Sequence, residues 1–310
     1  MFSDKISDLF TAQLGEWELA GTNYRLLENV KTRRLTFPGF EVLLQFNPER
    51  MVSSTAKVDA KSIGARPCFL CEKNRPHQQR GVRFESDFTI LVNPFPVFSR
   101  HLTIPSDGHT DQRIRYNFGK MLSLAEALPD YVIFYNGPQS GASAPDHFHF
   151  QAGKSGFMPV EKDFLSGKFA INEFTRKGAE AWRWKDYLRG IISLKGQERE
   201  PLEALFHKFF ERFSALQPDE PEPMMNILVN KTEKFWIVHI IPRKKHRPVQ
   251  FFAEGKDQLL ISPASVDLGG MVITPREEDF RKINAGDISD IFRQVCYADE
   301  ELHHILSDLK

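Results

Sequence analysis

Apolar residues recur at helical spacing in several stretches of the chain, separated by shorter β-rich runs. Ser3 can cap an amphipathic segment over 3–14 whose apolar side is Ile6, Leu9, Phe10 and Leu14. Ile114, Phe118, Leu122, Ala125 and Leu128 predict a helix over 110–128. Leu202, Leu205, Phe206, Phe209, Phe213 and Leu216 predict another with Pro201 in its first turn. A last helix is expected over 287–297, with Cys296 on its apolar face. Strand patterns occupy 24–51, where the run Phe40–Phe46 is stopped by Asn47 and Pro48, and then 88–92, 101–104, 131–135 and 146–152. Residues 52–67 read as a polar loop, and 217–223 as an acidic, proline-rich connector. Helices interleaved with short strands predict a fold that mixes helices and sheet.

The pattern also repeats. Ile90-Leu91-Val92-Asn93 returns as Ile227-Leu228-Val229-Asn230, and at the same offset Phe98 matches Phe235, Ile104 matches Ile241, Pro105 matches Pro242 and His109 matches His246. A shared register predicts a duplicated strand–turn–strand unit. The expected organisation is a first repeat over 1–160, connecting strands and a helix over 161–223, and a degenerate second repeat over 224–310.

Composition narrows the function classes. Lys plus Arg and Asp plus Glu are equal at 41 each, which argues against nucleic acid as a partner. Charged residues at 26% and apolar residues at 41% belong to a folded chain. No apolar run reaches the roughly 18 residues of a membrane span. The N-terminus carries no secretory pattern, and three cysteines make no disulfide framework, so a cytoplasmic protein with reduced thiols and no membrane association is expected.

The most informative segment is His147-Phe148-His149-Phe150-Gln151. On a strand, period two puts His147, His149 and Gln151 on one face and sends both Phe residues into the core on the other. The preceding loop, Asn136 to Pro145, contains Ser140-Gly141-Ala142-Ser143, whose small residues let backbone N–H groups approach an anion. No G-x-x-x-x-G-K-[ST] is present, so a P-loop is excluded. Cys68 and Cys71 form a C-x-x-C that can hold half of a zinc site, with His77, His101, His109 and His147 as available partners; a redox pair is the rival reading. The run Arg243-Lys244-Lys245-His246-Arg247 is either a solvated turn or an acceptor-phosphate site, and Arg50 is a further candidate for phosphate contact. His239 is expected as a satisfied histidine, and His303 and His304 at a solvated helix end.

Ser140-Gly141-Ala142-Ser143 followed by H-x-H-x-Q resembles the transferase branch of the histidine-triad superfamily, which includes galactose-1-phosphate uridylyltransferase, diadenosine tetraphosphate phosphorylase and GDP-L-galactose phosphorylase. Asn93-Pro-Phe-Pro, His101-Leu-Thr-Ile-Pro and the C-x-x-C add to the likeness. The resemblance implies two pseudo-repeats, each an antiparallel half-barrel sheet with flanking helices. It implies a structural zinc on Cys68, Cys71, His109 and His147, with His149 as nucleophile. Gln151 would then contact the α-phosphate, and Asn136, Ser140, Gly141, Ala142, Ser143, Arg50, Arg243 and Lys245 would supply phosphate or nucleotide contacts. The implied activity is nucleotidyl transfer from an NDP-sugar or dinucleoside polyphosphate to a phosphate or sugar-phosphate acceptor, through a nucleotidyl-histidine. Relatives often pair, so a homodimer is expected. The alternatives are a histidine-triad nucleotide hydrolase and a zinc-stabilised nucleotide-binding protein without turnover. The second copy has neither a C-x-x-C nor an H-x-H, so one reaction site per chain is expected.

Overall fold

The computed structural model describes residues 2–51 and 60–309. The strands, in chain order, are β1 (Lys31–Phe37), β2 (Phe40–Phe46), β3 (Gly81–Phe84), β4 (Phe88–Val92), β5 (His101–Pro105), β6 (Tyr131–Asn136), β7 (His149–Lys154), β8 (Ala170–Arg176), β9 (Ala179–Trp184), β10 (Ile192–Gly196), β11 (Met225–Lys231), β12 (Trp236–Pro242) and β13 (Met271–Thr274). The longer helices are α1 (Phe2–Glu16), α2 (Glu18–Leu27), α3 (Phe118–Ala127), α4 (Arg199–Leu216), α5 (Ala285–Val295) and α6 (Asp299–Ser307).

One sheet holds ten strands in the order β3-β4-β5-β7-β6-β11-β12-β10-β9-β8, and every neighbouring pair is antiparallel. Read outward from the central β6–β11 pair, both halves have the same connectivity. β6, β7, β5, β4 and β3 on one side correspond to β11, β12, β10, β9 and β8 on the other. Helices α3 and α4 occupy equivalent crossovers, and their Phe118 and Phe206 rings stack 3.8 Å apart. The fold is therefore α+β with two pseudo-repeats, but its internal register differs from the one predicted by the sequence identities. Those identities align β4 and β5 with β11 and β12, whose topological equivalents are β6 and β7. Buried Ile/Leu/Val strands ending in Asn look alike wherever they sit. Strands β8–β10 and helix α4, expected as connectors over 161–223, belong to the second unit.

The two faces of the sheet carry separate cores. On one, α1, α3, α4 and α6 cover Phe88, Phe148, Phe150 and Tyr135. On the other, a small sheet in the order β1-β2-β13 and helix α5 cover Phe98, Phe134 and Trp184. The β2–β13 pair is parallel.

Three other expectations shift. Tyr24 to Leu27, read as strand, end helix α2, because Tyr24 packs beside Phe10 and bonds to the backbone of His101. Gly21 permits the tight α1–α2 elbow: a Cβ there would lie 2.5 Å from the Leu14 carbonyl oxygen. The helix predicted over 110–128 begins only at Phe118; residues 110–117 instead run beside the histidine segment. The loop expected over 52–67 lies partly outside the described residues, and Ala60–Gly64 forms a short helix. As expected, Cys296 is buried, and His303 and His304 are exposed on α6.

Candidate active site

Strand β7 begins at His149 rather than at Asp146, but the alternation holds through the segment. Phe148 and Phe150 pack edge to face, 4.9 Å apart, in the helix-side core. That anchor turns His147, His149 and Gln151 toward the opposite face. There His149 and Gln151 line a cavity of about 630 Å³ whose walls come from both halves of the chain.

The His149 ring has a defined hand. Its Nδ1 is 2.8 Å from the carbonyl oxygen of His147. A carbonyl only accepts, so Nδ1 carries the hydrogen and Nε2 keeps its lone pair for the cavity. Burial pushes the His149 pKa down to about 4, against the opposing bond to the His147 carbonyl.

The backbone of His149 is clamped by Gln112, which the sequence reading had placed in a helix. The Gln112 carboxamide accepts from His149 N at 2.8 Å and donates to the carbonyl oxygens of His149 and Asn136, both at 3.0 Å. Gln112 itself is held from behind. Tyr135 Oη lies 3.2 Å from its carbonyl oxygen and 2.6 Å from Glu222 Oε1, and the other Glu222 oxygen accepts from Ile114 N.

Gln151 is oriented by a second buried histidine. Val97 N donates to His101 Nδ1 at 3.3 Å, which leaves His101 Nε2 as the donor to Gln151 Oε1 at 2.9 Å. Burial lowers the His101 pKa to about 3, so this ring stays neutral and the bond keeps its direction. With its oxygen engaged by His101, Gln151 has its NH2 left to donate on a side chain that lines the cavity. His101, weighed from sequence only as a metal ligand, is a positioning residue here.

The loop before β7 lines the cavity through Gly141, Ala142 and Ser143. Gly141 sits at φ +97°, and a Cβ there would meet Ala264 at 2.7 Å. Ser140, predicted as a phosphate contact, is buried outside the cavity wall, with its carbonyl held by Asn226. Asn136 lines the cavity, but its Oδ1 ties the seam between the halves by accepting from Asn226 Nδ2, Ser265 N and Ser265 Oγ.

Cys68, Cys71, His109 and His147 converge, with one donor atom of each lying within 4.8 Å of the others. His147 Nδ1 is 3.3 Å from Cys68 Sγ, 3.5 Å from Cys71 Sγ and 3.2 Å from His109 Nδ1, and Cys71 Sγ is 3.3 Å from His109 Nδ1. A tetrahedron with metal–sulfur bonds of about 2.3 Å and metal–nitrogen bonds of about 2.0 Å has edges of roughly 3.3–3.8 Å. Four of the six separations lie close to that range, and the four donors could hold a metal ion. His147 Nε2 donates to the Ser106 carbonyl at 2.8 Å, which leaves Nδ1 as the ligand nitrogen. Arg66 links this knuckle to the loop by donating to the Ser143 carbonyl at 3.0 Å while stacking over Phe69. His77 and His101 stand outside the cluster.

The basic run divides in a way its charge does not disclose. Arg243 is fully buried and spends its donors on Asn226 Oδ1 and on the carbonyls of Val295, Pro263, Lys245 and His246. Expected from its charge to contact phosphate, it instead brackets the fold, with its donors spent on protein acceptors. Lys245, the other member of the run expected to contact phosphate, is exposed and outside the cavity wall. The cavity instead receives His246 and Arg247 from this run, and Arg50 from the turn after β2. The apolar wall of Trp17, Leu19, Phe69, Leu70 and Phe95 had no signal in the sequence reading.

His239 occupies the same sheet face in the second half. Trp184 Nε1 donates to Ser193 Oγ, and that hydroxyl lies 2.7 Å from His239 Nδ1. Phe164 and Trp184 pack over the ring, so it is a satisfied core histidine. No helix among the described residues is long and apolar enough to cross a membrane.

Residues 9–154 match a family described as a domain of unknown function (DUF4922). No curated protein matches the chain. Among solved structures, yeast Ap4A phosphorylase Apa2 in complex with AMP is similar at 17% identity and a TM-score of 0.63, over 94% of this chain and 95% of that one. The same yeast protein in complex with Ap4A is similar at 16% identity and a TM-score of 0.59, over 91% of this chain and 97% of the other. Across nearly its whole length, then, the chain has the fold of the yeast phosphorylase, the fold that its histidine-triad resemblance implies.

Proposed function

We propose that the chain is a nucleotidyltransferase of the phosphorylase type, acting through a nucleotidyl group carried on His149. The observation that carries this reading is the His149 ring itself, with Nδ1 tied to the His147 carbonyl and Nε2 presented to a cavity that Gln151 also lines. In the first half-reaction Nε2 attacks the α-phosphorus of an NDP-sugar or a dinucleoside polyphosphate. A P–N bond forms, the P–O bond to the leaving phosphate breaks, and its electron pair departs with that oxygen. In the second, an acceptor phosphate oxygen attacks the same phosphorus and the P–N bond breaks, returning the electron pair to Nε2. The Gln151 NH2 donates to a non-bridging oxygen as charge builds there. Gln151 cannot protonate a leaving group, which favours leaving groups that are themselves phosphates and favours transfer over hydrolysis. The structural likeness to a phosphorylase solved with AMP and with Ap4A supports the same substrate class.

The metal is read as zinc, since two thiolates and two imidazoles in a tetrahedron suit that ion. With four protein ligands, it would have no open position for chemistry and would serve to fix the knuckle and His147.

The test is mass spectrometry of the protein mixed with Ap4A and with a set of NDP-sugars. An acid-labile, nucleotide-sized adduct that disappears in His149→Ala is expected. Turnover at equal rates with and without phosphate acceptors would indicate a hydrolase. No adduct with any of these compounds would indicate a binding protein, and would overturn the reading.

A further inference from the structure

Beside the four candidate metal ligands lies a carboxylate without a hydrogen-bond partner of its own. Asp146 immediately precedes His147, and its Oδ1 is buried and unbonded. Such an atom costs free energy unless something completes it. Two donors flank the group. Arg66 Nη2 stands 3.8 Å from Oδ1, and His109 Nε2 stands 3.7 Å from Oδ2. Both distances lie just beyond hydrogen-bond reach, so the carboxylate faces two donors and is bonded to neither.

The surroundings fix it in that place. The turn that carries Asp146 is pinned where His147 N donates to the Ala144 carbonyl at 3.2 Å and Gln112 N donates to the Pro145 carbonyl at 3.0 Å. Gln112 also clamps the backbone of His149, so Asp146 rides on the same frame as the candidate nucleophile. Arg66 is held as well. Its Nη2 donates to the Ser143 carbonyl at 3.0 Å, and its guanidinium lies 5.0 Å over the ring of Phe69, which sits between the two cysteines.

Each neighbour has a use for a carboxylate. His109 turns Nδ1 to the cluster, 3.3 Å from Cys71 Sγ and 3.2 Å from His147 Nδ1, which leaves the hydrogen on Nε2, the side of Asp146. A ligating imidazole that donates its other N–H to a carboxylate is held in one orientation and is a more basic ligand. Two thiolates and two neutral imidazoles already balance a divalent charge, so the charge of Asp146 is left for Arg66. Arg66 in turn holds the peptide oxygen of Ser143, and Ser143 lines the cavity beside Gly141 and Ala142.

We infer that Asp146 is a positioning residue that couples the metal cluster to the small-residue loop. Its Oδ2 accepts the Nε2 hydrogen of His109 when that ring ligates, and its Oδ1 accepts the second hydrogen of Arg66 Nη2, whose first goes to Ser143. Closing each gap by about 1 Å completes both bonds. The effect on the reaction rests on the function proposed above; the contact to the metal ligand stands apart from it.

The experiment measures zinc affinity by competition with a chelator, the visible spectrum of the cobalt-loaded protein, and the single-turnover rate of adduct formation from Ap4A at saturating zinc. Asp146→Asn keeps the shape and removes the charge. It is expected to weaken metal binding about 10–100-fold and to alter the cobalt bands. It should also slow adduct formation roughly tenfold. Arg66→Gln acts from the other side, slowing adduct formation to a similar degree and leaving the cobalt bands as in the wild type. The double variant should be no slower than the slower single, because both remove the same connection. A wild-type protein that forms no adduct defeats the function proposed above, and metal affinity and the cobalt bands then decide Asp146 by themselves. If Asp146→Asn does not fold, Arg66→Gln decides, and adduct formation at the wild-type rate overturns the coupling. Wild-type metal affinity and cobalt bands in Asp146→Asn overturn it, as do single effects that multiply in the double variant.

Discussion

Replacing Gln112 with alanine removes a side chain that touches no substrate but frames the reacting strand. Three groups lose their partner: His149 N, His149 O and Asn136 O, which Gln112 meets at 2.8, 3.0 and 3.0 Å. All sit where water is excluded, and Gln112 itself is 0% exposed. Leaving a buried polar group unsatisfied costs about 1–3 kcal/mol. Three groups at the low end give about 3 kcal/mol, and four missing side-chain atoms make room for a water that could recover part of it. A net loss of about 2–3 kcal/mol is therefore expected, or roughly 1 M in the urea midpoint for a slope of about 2–3 kcal/mol/M. The His149 peptide is also freed to move, and a displacement near 1 Å at a reacting group costs on the order of a hundredfold in rate. Urea titration followed by tryptophan fluorescence gives the first number, and the single-turnover rate of adduct formation gives the second. Gln112→Glu separates them, because it keeps an acceptor for His149 N but sets a carboxylate against two carbonyl oxygens. If Gln112→Ala unfolds at the wild-type urea concentration and charges His149 at the wild-type rate, the clamp is irrelevant and the argument from buried partners is wrong.

Two further outcomes follow from the same geometry. Cys71→Ser should abolish stoichiometric zinc, measured by elemental analysis at about one per chain in the wild type, and should slow adduct formation through His147 with little change in far-UV circular dichroism. Glu222 gives a pH signature: burial raises its pKa to about 7, against the opposing bonds from Tyr135 and Ile114 N. A carboxyl whose folded pKa is raised contributes stability that is complete below its ordinary value near 4.5 and is lost as pH rises through 7, by roughly 3 kcal/mol. Glu222→Gln should flatten urea midpoints across that window, and an unchanged slope in the variant would remove Glu222 as the source.

The side chains whose chemistry depends on spacing along one strand could be read before folding. His147, His149 and Gln151 share a face because strands alternate, and two Phe residues between them declare which face is core. The C-x-x-C announced half of a metal cluster, although the completing histidines came from the resemblance. The supports around these groups carried no such mark. Gln112 lay inside an apolar periodicity that Ile114 and Phe118 continue, and a carboxamide has no spacing rule. His101 looked like any other available ligand until β5 paired with β7 and set it against Gln151. The burial of Arg243 has no mark in the sequence, because charge is visible there and burial is not. The duplication was legible, but its register was not, since short apolar strands ending in Asn are interchangeable as text.

The Phe164 and Trp184 rings over His239 have a stoichiometric consequence. Where one half of the duplicated sheet opens onto the cavity, the other is plugged with indole and phenyl groups. The copy that surrendered its opening supplies walls, a basic corner and rigidity to its twin. Labelling with nucleotide should accordingly saturate at a single equivalent per polypeptide, however symmetrical the scaffold.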